Sequence, residues 1–251
     1  MLPCLSRRGK LNLDCGVAVR FGGGVESEGS LIGQGYRLWG AVCAALCLFG
    51  AGACMGGNST GFQWWSTANF KVEVDEDWSV AFEEELRLGD NLFYHHSDIG
   101  LIYGGLEDWV DVGFNFRRAY QRNDAGDWQD ENRPHLNVTF KDTFAGVKWS
   151  TRSRFEFRDR DGREDIWRYR NRFMLELPWE LTALKLKPYV SEEVLINMDG
   201  SGFSSNRFIA GGVIALARNV KLDLYYLWQA TRAGGGTDDV HALGTKLVFA
   251  F

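Results

Sequence analysis

Beyond residue 60, polar and apolar residues alternate along most of the chain with a period of two. The clearest instance is WSTRSRFEFRDRDGREDIWRYRNRFMLEL, from Trp149 to Leu177, where two alternating runs flank a polar turn at Arg160, Asp161 and Gly162. In the first run Arg152, Arg154, Glu156 and Arg158 share one phase, and Ser153, Phe155 and Phe157 share the other. In the second, Arg168, Arg170, Arg172 and Glu176 alternate with Trp167, Tyr169, Phe173, Leu175 and Leu177. Successive side chains of a β-strand point to opposite faces, so a period of two predicts strands with one charged and one aromatic-aliphatic face.

The same pattern predicts strands at 62–74, 78–88, 92–104, 109–120, 132–141, 144–158, 165–177, 184–197, 207–217, 220–232 and 240–251. Most reach the roughly 9 or more residues that a tilted strand needs to cross a bilayer. The connections at Asp75 to Asp77, Gly105 to Asp108, Asp142 to Thr143 and Arg218 to Asn219 are tight. Those at Gln121 to Glu131, Met198 to Asn206 and Ala233 to Asp239 are longer and polar. Short turns at one end and longer loops at the other fit an all-β, closed antiparallel transmembrane barrel, lipid outside and a charged lumen inside. A bacterial barrel with both termini in the periplasm needs an even number of strands, so one of the eleven runs is expected to be miscounted. The expectation is about ten to twelve strands.

By phase, the lumen-lining set is Glu83, Glu85, Arg87, Asp111, Arg117, Arg152, Arg154, Glu156, Arg168, Arg170, Arg172, Glu176, Lys185, Lys187 and Glu193. The sixth to eighth strands are consecutive, so their Arg and Lys form a basic wall, with Glu83 and Glu85 expected to face it across the lumen. Glu84 and Glu192 fall in the apolar phase, where a carboxylate against lipid is costly. A β-bulge shifting the register would account for them.

Composition narrows the picture further. Hydrophobic residues make up 45% and charged residues 24%, and nothing after residue 54 is apolar for long enough to be a membrane helix. Aromatics reach 14% with ten Trp, which interface girdles would require. Leu38 to Ala53, LWGAVCAALCLFGAGA, is an uncharged run after Arg37 that ends small-x-small at Ala51, Gly52 and Ala53. It reads as the core of a secretory signal peptide cleaved after Ala53, within an N-terminal region of residues 1–53; the barrel is expected over 54–251. A membrane anchor and lipidation at Cys54 are alternatives: the run is short for an anchor, and Ala51 stands where lipoprotein signals usually have Leu. Residues 1 to 36 are an odd preamble, and a true translation start near residues 31 to 36 would explain them. All five cysteines lie at or before residue 54, so a processed chain is nearly free of thiols, which suits an oxidising compartment. Beyond residue 53 there remain 23 Lys/Arg against 30 Asp/Glu, and this acidic balance argues against nucleic-acid binding.

His241 to Phe251 sets Leu247, Phe249 and the terminal Phe251 in one phase, as an outer-membrane assembly signal would. More specifically, WSVAFEEELRL (78–88), NRPHL (132–136), WRYRNRFMLELP (167–178), LKLKPYVSEEV (184–194), NRFIAGGV (206–213) and VKLDLYYLWQ (220–229) together resemble a family of bacterial outer-membrane barrels known as domain of unknown function 2490. The resemblance covers about residue 62 to the end. It implies a Gram-negative barrel located in the cell outer membrane, with outer-membrane lipid and the barrel-assembly machinery as partners, and it brings no substrate, cofactor or catalytic residue.

Catalytic motifs are weak. His95, His96, Ser97 and Asp98 contain the residue types of a hydrolase, but no motif supplies the third, orienting group of a triad. There is no H-E-x-x-H, P-loop or EF-hand loop, and neither a metal nor a cofactor is expected. The expectation is a non-enzymatic, porin-like barrel with a narrow Arg/Glu-lined lumen that passes small or anionic solutes. The alternative is a non-conducting structural barrel held by lumenal salt bridges, and a remote one is an outer-membrane lipid hydrolase. The sequence carries no signal for the oligomeric state.

Overall fold

A computed structural model describes residues 61–89, 92–122, 126–233 and 236–251. The signal peptide, its cleavage after Ala53, lipidation at Cys54 and the translation start concern residues outside this described set. Eleven strands follow in order: β1 (Phe62–Glu73), β2 (Trp78–Gly89), β3 (Phe93–Glu107), β4 (Val110–Arg122), β5 (Trp128–Phe144), β6 (Val147–Arg160), β7 (Ile166–Glu176), β8 (Lys187–Asn197), β9 (Gly202–Ala217), β10 (Val220–Ala233) and β11 (Gly236–Ala250). They form a closed barrel in which each strand pairs with its chain neighbour and β1 pairs with β11. Among the described residues no helix is long and apolar enough to cross a membrane.

The closure corrects the argument from parity. β1 and β11 are parallel, with Phe62 opposite His241 and Lys71 opposite Ala250. The Glu73 amide donates to the Phe251 carbonyl at 2.9 Å, and the Phe251 amide donates to the Lys71 carbonyl at 2.9 Å. Hairpin-connected strands alternate in direction, so an odd number brings the first and last together pointing the same way. A parallel ladder satisfies their backbone groups as an antiparallel one would, and no edge is left open. Gly61 and Phe251 therefore sit at opposite ends of the barrel.

Strands run further into polar sequence than alternation alone suggests. β5 begins at Trp128, β9 at Gly202 and β11 at Gly236, because ladder hydrogen bonds continue beyond the apolar band. The loops shorten accordingly. The β5–β6 turn falls at Ala145 (φ 50°) and Gly146 (φ 82°) rather than at Asp142 and Thr143. Two central residues with positive φ match the twist of a two-residue hairpin. The longest described connection, residues 177–186, lies at the Phe251 end, with the small bridge Leu181–Leu186 inside it. Lys185 is thus not lumenal, contrary to its phase: it sits in this connection at φ 52°, 76% exposed, with Nζ 3.5 Å from Glu180 Oε2. Lys187 opens β8 at the rim, half exposed and 3.9 Å from Glu180 Oε1.

Inside, the barrel is not uniformly charged. Trp65, Tyr189, Ile209, Leu227 and Ala242 are buried together, with Met174, Val213 and Tyr225 packed against them. These residues point inward from β1 and β7 to β11 and make that side of the lumen apolar. Glycines make room for the rings. A Cβ at Gly244 would lie 2.0 Å from Tyr225 Cζ, its cross-strand partner, so the ring lies flat over the bare backbone.

Candidate functional site

β6 and β7 pair so that Arg152 faces Arg172, Arg154 faces Arg170 and Glu156 faces Arg168. Like charges directly opposite repel, and two carboxylates offset the repulsion. Glu156, fully buried, accepts from Arg168 Nε and Nη2 at 2.8 and 2.6 Å and from Arg170 Nη1 at 2.9 Å. Arg154 Nη1 reaches it at 3.5 Å. Glu193 of β8 accepts from Arg170 Nη2 on both oxygens at 2.8 Å, from Arg207 Nη1 at 3.2 Å and from Arg152 Nη2 at 3.5 Å. Arg172 makes no salt bridge among the described residues, and its buried Nε has no hydrogen-bond partner; the Nε atoms of Arg152 and Arg170 share that lack.

A second node lies on β2, β3 and β4. Arg117 Nε donates to Asp98 Oδ2 at 2.8 Å and its Nη2 to Glu83 Oε1 at 3.2 Å. Lys246 Nζ donates to Glu83 Oε2 at 3.3 Å, and Arg87 holds Glu85 Oε1 from Nη2 at 2.5 Å and from Nε at 2.6 Å. Glu83, Glu85 and His96 bring donor atoms within 4.8 Å of one another, the spacing of a cation site. Arg87, Arg117 and Lys246 already occupy those carboxylates, so the local charge is balanced by side chains and the donor set does not suit a metal.

The basic wall and Glu83 and Glu85 therefore do not pair directly. Both line a cavity of about 500 Å³ between them, together with Arg87, Arg117, Arg152, Arg154, Arg170, Arg172, Glu176 and Glu193. Asp111 lines a smaller adjoining cavity and pairs with Lys141 at 2.6 Å. Glu156 and Arg168 lie in the wall itself, buried.

Alternation also placed residues that phase reading passed over. Glu131, Arg133 and His135 point inward from β5, with Glu131 held by Arg133 at 2.6 Å and by Arg158. Arg207, Asp98, Asp223 and Lys246 join from β9, β3, β10 and β11. Each shares the inward phase of its strand, and that phase was the available signal.

The outer face holds the residues that broke the pattern. No register shift occurs along β2 in its pairing with β1 or β3, so the expected bulge at Glu84 is not there. Instead Glu84 Oε2 lies 2.6 Å from His95 Nε2 on the outward face. Glu192 accepts from Asn206 Nδ2 at 3.0 Å. The one shift in the β8–β9 pairing, between Leu195 and Ile196, lies beyond it. Ser97 stands opposite Glu84, and among the described residues no hydrogen bond joins it to His95. His96 and Asp98 point the other way, into the lumen, so alternation divides the four residues between two faces. Leu247 and Phe249 lie in the outward phase of β11, where Phe249 stacks on Phe70 at 4.7 Å; Phe251 follows the strand, half exposed.

Fold and site together define a closed β-barrel with an arginine-rich, ion-paired lumen. A family model described as "Protein of unknown function (DUF2490)" matches residues 62–241, and the chain belongs to that family. Among solved structures, LpxR from Salmonella typhimurium is similar in fold at 10% identity, with a TM-score of 0.47, covering 73% of this chain and 87% of that one. No curated protein matches.

Proposed function

We propose that this protein is an outer-membrane barrel of porin-like type whose narrow lumen admits small anions. The observation that carries the reading is the lining of the 500 Å³ cavity, where nine Arg and Lys side chains meet five carboxylates. An excess of fixed positive charge in a confined water path favours anions, as charged rings do in pores. Membrane placement is supported by the outward face. Ile99, Phe114, Phe116, Leu136 and Phe173 are each at least 41% exposed, a band too apolar and continuous for water. Aromatics belt both rims: Phe62, Phe93, Trp128 and Trp167 at one end, and Trp78, Trp109, Phe140 and Phe144 at the other. A signal peptide over residues 38–53 would deliver the chain across the inner membrane.

The apolar cluster around Trp65 and Leu227 favours a second reading, a non-conducting barrel in which the lumen is structural. Planar-bilayer recording of the purified protein separates the two. The anion reading expects small, anion-selective conductance whose selectivity falls in Arg152→Gln and Arg172→Gln. These positions suit the test because, among the described residues, Arg172 has no salt bridge and Arg152 only one at 3.5 Å, so stability changes little. Silent bilayers with correctly folded protein would leave the structural reading.

A further inference from the structure

A second cavity, which shares Trp65, Arg87, Arg117, Arg170 and Arg207 with the larger one, lies in the half of the barrel nearest the connections between β2 and β3, β4 and β5, and β6 and β7. Its volume is about 220 Å³, and its charged lining consists of Arg87, Arg117, Arg133, Arg168, Arg170 and Arg207. Among the described residues no carboxylate lines it, in contrast with the larger cavity, where carboxylates and cations are mixed. We propose that this compartment is a seat for a phosphate group.

Each of the six arginines is anchored by a carboxylate that does not itself line the cavity. Arg87 is held by Glu85, Arg117 by Asp98 and Glu83, Arg133 by Glu131, Arg168 by Glu156, Arg207 by Glu193, and Arg170 by Glu156 and Glu193. An anchored guanidinium has five donors in a fixed fork, and one carboxylate does not use them all. The anchors fix the forks in place before any ligand arrives, which lowers the cost of ordering them on binding. Stacking does the same. Arg87 Cζ lies 3.6 Å from the Trp65 ring centroid and 4.6 Å from that of Tyr94, while Arg207 Cζ lies 5.4 Å from Trp65.

The chemistry selects among anions. Planar forks converging from several directions match a compact oxyanion with several acceptor atoms and more than one charge, which phosphate supplies and chloride does not. Gln63, Gln121 and Gln229 add neutral amides to the lining, beside Leu92 and Val240, and bring no negative charge. With both aromatic rings covered by guanidinium groups, the site reads the charged group and leaves little apolar surface for what it is attached to. The proposal deepens the anion reading of the lumen, since it names the ligand class, but it requires no passage through the barrel.

The test is calorimetric titration of the detergent-folded protein with inorganic phosphate and, separately, with a short-chain phosphatidic acid in micelles. Potassium chloride at matched ionic strength is the comparison. Saturable phosphate binding is expected, weakened on the order of tenfold (~1.4 kcal/mol) in Arg207→Gln and Arg87→Gln. Arg207→Lys, which keeps the charge and loses the fork, should weaken it as well, whereas Arg118→Gln on the outer face should not. Binding of inorganic phosphate identifies a free anion as the source, and binding of phosphatidic acid alone identifies a lipid headgroup. Should neither bind, or should chloride compete equally and the lumen variants match the parent, the seat is overturned. Anion-selective conductance without phosphate binding would remove the seat and keep the passage reading. Phosphate binding in a silent barrel would do the reverse.

Discussion

Glu156 is the point at which the lumenal network is most exposed to a single change. It is fully buried and receives hydrogen bonds from Arg154, Arg168 and Arg170. In Glu156→Gln, Arg170 keeps both bonds to Glu193, and Arg154 keeps its 2.7 Å bond from Nε to Asn137 Oδ1. Among the described residues Arg168 keeps no ion pair, although it is only 8% exposed. The cost is therefore that of one stranded buried guanidinium, about 3–5 kcal/mol, toward the lower end because the amide oxygen still accepts one bond. For comparison, the exposed pair Lys141–Asp111 should contribute under about 1 kcal/mol. Urea unfolding of the detergent-folded barrel measures both, with gel heat-modifiability as a check on folding. The double variant Glu156→Gln/Arg168→Gln should recover part of the loss, since the stranded charge is gone. Added salt should alter the Glu156 effect little, because a buried pair is poorly screened. A Glu156→Gln variant within about 1 kcal/mol of the parent, with no coupling in the double variant, would refute the reasoning; water would then be solvating the wall.

The parallel closure predicts that tags placed just before Gly61 and just after Phe251 face opposite sides of the membrane. Protease shaving of intact cells should reach one and spare the other, whereas equal protection would point to a different strand count. Gly244→Ala should destabilise the barrel by more than about 1 kcal/mol, because the new methyl meets the Tyr225 ring, and Tyr225→Ala in the same background should relieve much of that loss.

The alternation that marks Arg152, Arg154 and Glu156 as one phase and Phe155 and Phe157 as the other is a local property, read from the chain without knowing any partner. It suffices for strands, for their faces and for which side is charged, because side-chain direction in a strand depends only on neighbouring residues. It set Arg152, Arg154 and Glu193 on the faces that line the larger cavity. It failed at Lys185, where two residues with positive φ break the strand before β8 begins, and at Glu84, which a pair with His95 on the outer face accommodates without any bulge.

Partner choice is decided elsewhere. Glu83 meets Lys246 from 163 positions away, and Glu193 collects arginines from β6, β7 and β9. Such meetings depend on register and on how the sheet closes, which no single strand encodes. The same holds for the apolar half of the lumen, where Trp65 of β1 packs with Leu227 of β10. The parallel seam of β1 and β11 follows from the parity of the whole set of strands. The chain's own pattern thus determined strands and faces. Tertiary closure decided which charges pair, and which six arginines line one cavity.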